Sequence, residues 1–146
     1  MATEITQALI DAYSGTTYRA NVGAAWVELR IGIRSKDLLK LYERQGPDEN
    51  ITHAAAFLTA WNPFSGERSP CENAAANAAL EADLKARGLA YFHGEGQGSD
   101  PQWAPEASFL ALGLTRQAAI ALGRRYQQNA IVHAGDDAVP RLLLLR

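Results

Sequence analysis

Ala54-Ala55-Ala56-Phe57-Leu58-Thr59-Ala60-Trp61 is an apolar run broken only by Thr59, and together with the segments after it this run decides the fold. A short run without polar alternation predicts a strand buried on both faces. Ser69-Pro70-Cys71-Glu72 comes next, a capping box with proline at the first helical position. The alanine-rich helix that it opens ends at Gly88. Leu89 to His93 reads as a strand, and residues 94–106 as a thirteen-residue loop. Ala107 to Leu112 is a third strand, Thr115 caps a helix carrying Ala118, Ala119, Leu122 and Tyr126, and Asn129 to Ala134 is a fourth strand. Residues 54–134 therefore read β-α-β-β-α-β, the ferredoxin-like split unit.

Upstream, Ile5, Leu9, Ala12 and Tyr13 keep helical spacing after Thr3 until Gly15 ends the run. Residues 16–20 and 24–33 flank the turn Asn21-Val22-Gly23, and Val27, Leu29, Ile31 and Ile33 alternate like a half-wet strand. Ser35 caps a helix running to about Gln45, stopped by Gly46-Pro47. Leu142 to Leu145, entered through Pro140, is a last edge strand. The expected class is α+β: a ferredoxin-like core over about 54–134, an added N-terminal helix, β-hairpin and helix, and a short C-terminal edge strand. All of it forms one domain, 1–146.

Composition limits the function. The chain has 146 residues, 47% apolar and 21% charged, as a globular domain does. A net charge of −2 excludes bulk attraction to nucleic acid or anionic lipid. The charge is uneven: −1 over residues 1–66, −4 over 67–106 and +3 over 107–146. One cysteine cannot form an internal disulfide. No stretch approaches the roughly 18 apolar residues of a membrane span. Met1-Ala2-Thr3-Glu4 does not read as a signal peptide, so a cytoplasmic protein is expected.

In that topology the connections 62–68, 94–106 and 127–129 meet at one edge of the sheet, here called the upper edge. Helical periodicity adds a clue: Asn73, Asn77, Leu80 and Leu84 fall within about 60° of one another on the helix after Ser69. The asparagines thus extend an inward-facing stripe, and two roles are open to them. They tie down the loop at 62–68, or they face a ligand at a helix N-terminus.

The stretch Thr59-Ala60-Trp61-Asn62-Pro63-Phe64-Ser65, with Glu72-Asn73 and Asn77, resembles the signature of the domain-of-unknown-function family 3293. Gly94-Glu95-Gly96, Glu106-Ala107-Ser108-Phe109-Leu110 and Gln128-Asn129-Ala130-Ile131-Val132 fit the same family in order, from about Leu9 onward. The resemblance implies a small bacterial protein and carries no activity with it.

Gly94-Glu95-Gly96-Gln97-Gly98 does not make a dinucleotide loop, because the third glycine comes two positions after the second and no helix comes after it. His53, His93 and His133 lack the spacing of a zinc site, so neither metal nor cofactor is expected. Glu72, Glu95 and Glu106 could all reach the upper edge, and two of them in contact would raise one pKa for acid–base work. Cys71 lacks a histidine partner for nucleophilic catalysis, and Ser69 is occupied as a cap. Phe57 and Phe109 stand where an RNA-binding sheet would stack bases, without its basic residues, so nucleic acid is not an expected partner.

Two readings remain, and enzymatic activity stays open in the first. One is a small-polar-ligand site lined by Trp61, Asn62, Ser65, Asn73, Asn77, Glu95, Trp103, Glu106, Gln128 and Asn129. In it Trp103 either walls the pocket or plugs the core. The other is a module that engages a protein partner without catalysis.

Overall fold

The computed structural model describes residues 5–45, 52–63, 66–99 and 104–145. Thr3, Gly46-Pro47, Ser65 and Trp103 lie outside the described residues. In chain order the elements are α1 (Gln7–Ser14), β1 (Thr17–Val22), β2 (Ala25–Leu29), α2 (Lys36–Arg44), β3 (Ala55–Leu58), α3 (Pro70–Ala86), β4 (Tyr91–Gln97), β5 (Glu106–Leu112), α4 (Arg116–Arg125), β6 (Ala130–Ala134) and β7 (Arg141–Leu144). Among the described residues these four helices accompany one antiparallel seven-stranded sheet, ordered β2-β1-β4-β5-β3-β6-β7.

The apolar run supplies the centre. Every residue of β3 is buried, and Phe57 stands opposite Leu110 of β5 on one side and Val132 of β6 on the other. Because side chains alternate, β3 feeds two cores. Ala56 and Leu58, with Phe109, Ala111 and Ile131, pack under Leu80 and Leu84 of α3 and Ala119 and Leu122 of α4. Ala55 and Phe57, with Leu110 and Leu112, face Leu38, Leu41 and Tyr42 of α2 and the inward residues of β1 and β2. The sheet curls around α2. Gly32 N–H donates to Pro140 O (2.8 Å) and Ser35 N–H to Ala138 O (2.9 Å), joining the segment after one edge strand to the segment before the other.

Local signals set most boundaries. Ser35, Ser69 and Thr115 each accept a backbone N–H three residues on, and so cap α2, α3 and α4. Thr6 caps α1, so that helix starts later than its apolar spacing suggests. The second hairpin strand ends at Leu29, and Arg30 instead bridges to Ile33 across a tight turn. Gly88 (φ 70°) ends α3, and Gln127 (φ 57°) takes the equivalent left-handed position after α4, where Gln128 N–H reaches Gly123 O (2.9 Å).

One expectation is corrected. Residues 94–97 are not the start of a loop but the second half of β4, paired with β1 on one side and β5 on the other. The first of the glycines that suggested a loop is demanded by close packing, since a Cβ on Gly94 would stand 2.4 Å from Arg19 O; at Gly96 a Cβ would only reach ordinary contact with the Tyr18 ring, at 3.5 Å. His93 consequently sits within a strand rather than at its end.

Asp83 joins the two helices of one core. It accepts from Arg87 Nε (3.2 Å) and Tyr126 OH (3.0 Å) and pairs with Arg125 (3.3 Å). Burial pushes its carboxyl up, but Arg87, Tyr126 and Arg125 together outweigh burial and hold it below the ordinary value. A depressed carboxylate stabilises the fold above its unfolded pKa, and that contribution disappears as pH falls through the folded one. Asp83→Ala is therefore expected to cost about 1–2 kcal/mol at neutral pH. In urea melts at a series of pH values the deficit should shrink below about pH 4; a pH-independent deficit would point to packing instead.

Candidate functional site

The upper edge is where β3 and β5 part. Leu58 is still paired with Phe109, but two residues later the side chain of Asn77 occupies the gap between the strands. Ala60 N–H donates to Asn77 Oδ1 (2.8 Å), while Asn77 Nδ2 donates to Ala107 O (2.9 Å). Those two backbone groups are the ones that a continued ladder would bring together, so the carboxamide stands in for a peptide group. Thr59 Oγ1 also donates to Ala107 O (2.8 Å) and accepts from Trp61 N–H (3.0 Å), fixing the bend.

One turn earlier on α3, Asn73 does the same for the loop. Asn62 N–H donates to Asn73 Oδ1 (2.8 Å), and Asn73 Nδ2 donates back to Asn62 Oδ1 (2.8 Å). Asn62 Oδ1 also accepts from Arg68 N–H (3.0 Å). Asn62 has φ 46°, a left-handed conformation that asparagine tolerates better than most residues and that these bonds maintain. With its oxygen doubly engaged, the Asn62 side chain turns its amide group toward the Glu106 carboxyl at the start of β5, where hydrogen bonding favours the charged form. Burial raises the Glu106 carboxyl above the ordinary glutamate value, and the Asn62 hydrogen bond opposes this only in part. Among the described residues no cation pairs with Glu106.

The third segment arrives from α4. Gln128 Nε2 donates to Trp61 O (3.3 Å) and Tyr126 O (3.2 Å), and Asn129 Nδ2 lies 3.5 Å from the Tyr13 hydroxyl of α1. Tyr18 OH donates to Tyr13 O (2.9 Å); burial, above all, pushes the Tyr18 phenol far up. Of the six buried polar residues described, Asn73, Asn77, Ser108, Gln128 and Asn129 belong to this end of the molecule.

A family model described as "Protein of unknown function (DUF3293)" matches residues 58–131, just over half of the chain. The chain belongs to that family. The match runs from the last residue of β3 into β6, narrower than the resemblance read from the sequence. The DUF3293 region includes Asn62, Asn73, Asn77, Glu106, Gln128 and Asn129, whereas α1, β1, β2, α2 and β7 lie outside it. No curated protein and no solved structure matches the chain.

The remaining predicted site residues are dispersed. Glu95 pairs with Arg19 on β1, whose guanidinium lies 4.8 Å over the Trp26 ring. Gly96 is directly opposite Glu106, so Glu95, one residue earlier, projects from the other face of the DUF3293 sheet. Glu72 is exposed and pairs with Arg68 (3.7 Å), and its Oε1 accepts the Ser69 hydroxyl (3.0 Å) rather than the cap's N–H. The three carboxylates are thus not gathered, and Glu106 is raised by burial rather than by a second carboxylate. His53 stacks on Tyr42, His93 meets Glu81 (3.2 Å) and His133 bonds Leu114 O (2.9 Å). Among the described residues no three His, Cys, Asp or Glu side chains form a metal-binding group. Phe57 and Phe109 are buried on opposite faces, and no described helix is long and apolar enough to cross a membrane. An open depression of about 320 Å³ lies between β2 and α2, lined by Glu28, Arg30, Ile33, Arg34, Ser35, Lys36 and Asp37, none of them from the upper edge.

Sequence reasoning missed Tyr18 and Tyr13. The apolar–polar alternation around Tyr18 was readable, but its position over Gly96, beside Glu106, depends on β4 reaching Gln97.

Proposed function

We propose that the chain is a bacterial, cytoplasmic protein that binds a small polar molecule at the upper edge, with Glu106 as the anchoring group. The observation that carries this reading is a mostly buried carboxyl with one amide partner and, among the described residues, no cation, held beside a left-handed asparagine. Such a group costs stability, and strained or pKa-shifted groups cluster at functional sites. Asn62, Gln128, Asn129 and the Trp61 side chain would contact the ligand, with Ser65 close to Asn62 in sequence and Trp103 close to Glu106. Asn73 and Asn77 act behind them as positioning residues. A carboxylate and the net acidity of residues 67–106 favour a neutral or weakly cationic hydrogen-bond donor over a strong anion. We also read β3 to β6 with α3 and α4 as a ferredoxin-like core. The order β6-β3-β5-β4, antiparallel throughout, supports it, as do α3 and α4 packing on one face.

The test is an amide-shift screen against amines, amides, sugars and nucleosides, using the wild type and Glu106→Gln. Shifts centred on Asn62, Glu106 and Gln128 that Glu106→Gln weakens at least about tenfold, or ~1.4 kcal/mol, support the reading. No response across the panel, or shifts clustered elsewhere, count against it.

Glu106→Gln also has a stability signature. A carboxyl raised on folding stabilises the protein fully below its unfolded pKa, and that contribution is lost as pH rises through the folded one. The variant should therefore melt higher than the wild type at pH 7, with the advantage vanishing toward about pH 4. A variant that melts lower at pH 7 would mean that the carboxylate is structurally required.

A further inference from the structure

The two edges of the sheet are finished differently. On β2, Asp37 Oδ2 accepts Glu28 N–H (3.3 Å), Ser35 Oγ donates to Glu28 O (3.0 Å), and Ile33 N–H takes Arg30 O (3.1 Å). That edge is closed by the chain's own groups at Glu28 and at the Arg30 carbonyl, beside exposed Trp26. On β7 the alternation can be read from one bond: Leu145 N–H donates to Asn129 O (2.8 Å), so Leu145, Leu143 and Arg141 face β6. The N–H and C=O groups of Leu142 and Leu144 therefore point outward, and among the described residues nothing bonds them. Below them Pro140 O is already taken by Gly32 N–H, which bounds the open window.

Natural edges are guarded by charge, proline or a bulge. Within this window all three residues are leucine, and Leu144 is 46% exposed. The nearest charge, Arg141, is folded back on Asp137 of its own chain through contacts of 2.8 and 3.2 Å, so it neither guards the edge nor carries unpaired charge toward a partner.

We propose that β7 is a self-association edge, on which a second copy of this chain adds its own β7 antiparallel about a two-fold axis through Leu143. The open window selects that occupant: Leu142 of one copy meets Leu144 of the other, and the same contact recurs across the axis. Each pair exchanges two backbone hydrogen bonds, and Leu144 is covered by its cross-strand neighbour. An interface this short belongs to the weak, transient class, so the dimer forms only at high concentration.

The test is sedimentation velocity over about 10 μM to 1 mM, the range in which weak interfaces populate, together with amide-exchange measurements at both ends of the range. The expected result is a sedimentation coefficient that rises with concentration. In parallel, Leu142 and Leu144 amides should gain protection, while those of Leu143 and Leu145 stay protected throughout. Leu144→Lys, at an exposed position, should raise the dissociation constant at least about tenfold without changing the melting temperature. A monomer at every concentration overturns the proposal. So does a dimer in which the Leu142 and Leu144 amides stay unprotected and Leu144→Lys has no effect, since that dimer uses another surface.

Discussion

Replacing Asn77 with alanine is expected to lower the unfolding free energy by about 3 kcal/mol, because each buried polar group left unpaired costs roughly 1–3 kcal/mol. Asn77 is 7% exposed, so water does not readily replace its carboxamide. Ala60 N–H would lose its acceptor, while Ala107 O would keep only the Thr59 hydroxyl. The damage should be local to the fork between β3 and β5: amide exchange at Ala60 and Trp61 should accelerate more than in the rest of β3. Urea melts of the purified variant measure the total. Unchanged stability with lost ligand binding would instead make Asn77 a ligand contact rather than the spacer that props the site open.

Gly94→Val is expected to be as damaging, at about 3 kcal/mol, the upper range for overpacking in a tight site. The obstacle is backbone and not a mobile side chain: the new Cβ would fall 2.4 Å from Arg19 O and 3.1 Å from Ala20 Cα. β1 would have to move off β4, taking with it β2, Tyr18 and the wall beside Glu106. The measurable signature is loss of amide protection along β1 and β2 while β3, β5 and β6 remain protected. If Gly94→Val melts like the wild type with β1 protected, the glycine is there for another reason. Gly98, which has open space around it, is the control position, and Gly98→Ala should be nearly neutral.

These two positions also mark where sequence reading succeeds and where it stops. The apolar run at 54–61, the Ser69 cap and the Thr115 cap each announce an element by local chemistry, and those elements formed. The inward stripe of Asn73, Asn77, Leu80 and Leu84 was legible from helical periodicity, and all four are buried. What the asparagines bond was not legible, because their partners are backbone groups exposed when two strands diverge, and backbone groups leave no trace in residue identity. Gly94-Glu95-Gly96-Gln97 misled for the opposite reason. Glycine disfavours strands on its own, and only the approach of β1, some 75 residues earlier in the chain, makes it necessary. Glu106 was recognisable as a candidate from its position at a strand start. It differs from Glu72 by burial and from Glu95 by facing no arginine among the described residues, and periodicity alone ranks carboxylates by neither.

The central claim is that a mostly buried carboxyl with no cation beside it among the described residues sits where three connections meet. Its most direct test is a carbon-detected NMR titration of the Glu106 side-chain carboxyl, read against the ordinary glutamate value. Glu106 is expected to titrate clearly above that value, and Asn62→Ala to move it further upward by removing the opposing hydrogen bond. A Glu106 carboxyl that titrates at the ordinary glutamate value or below it would contradict this claim.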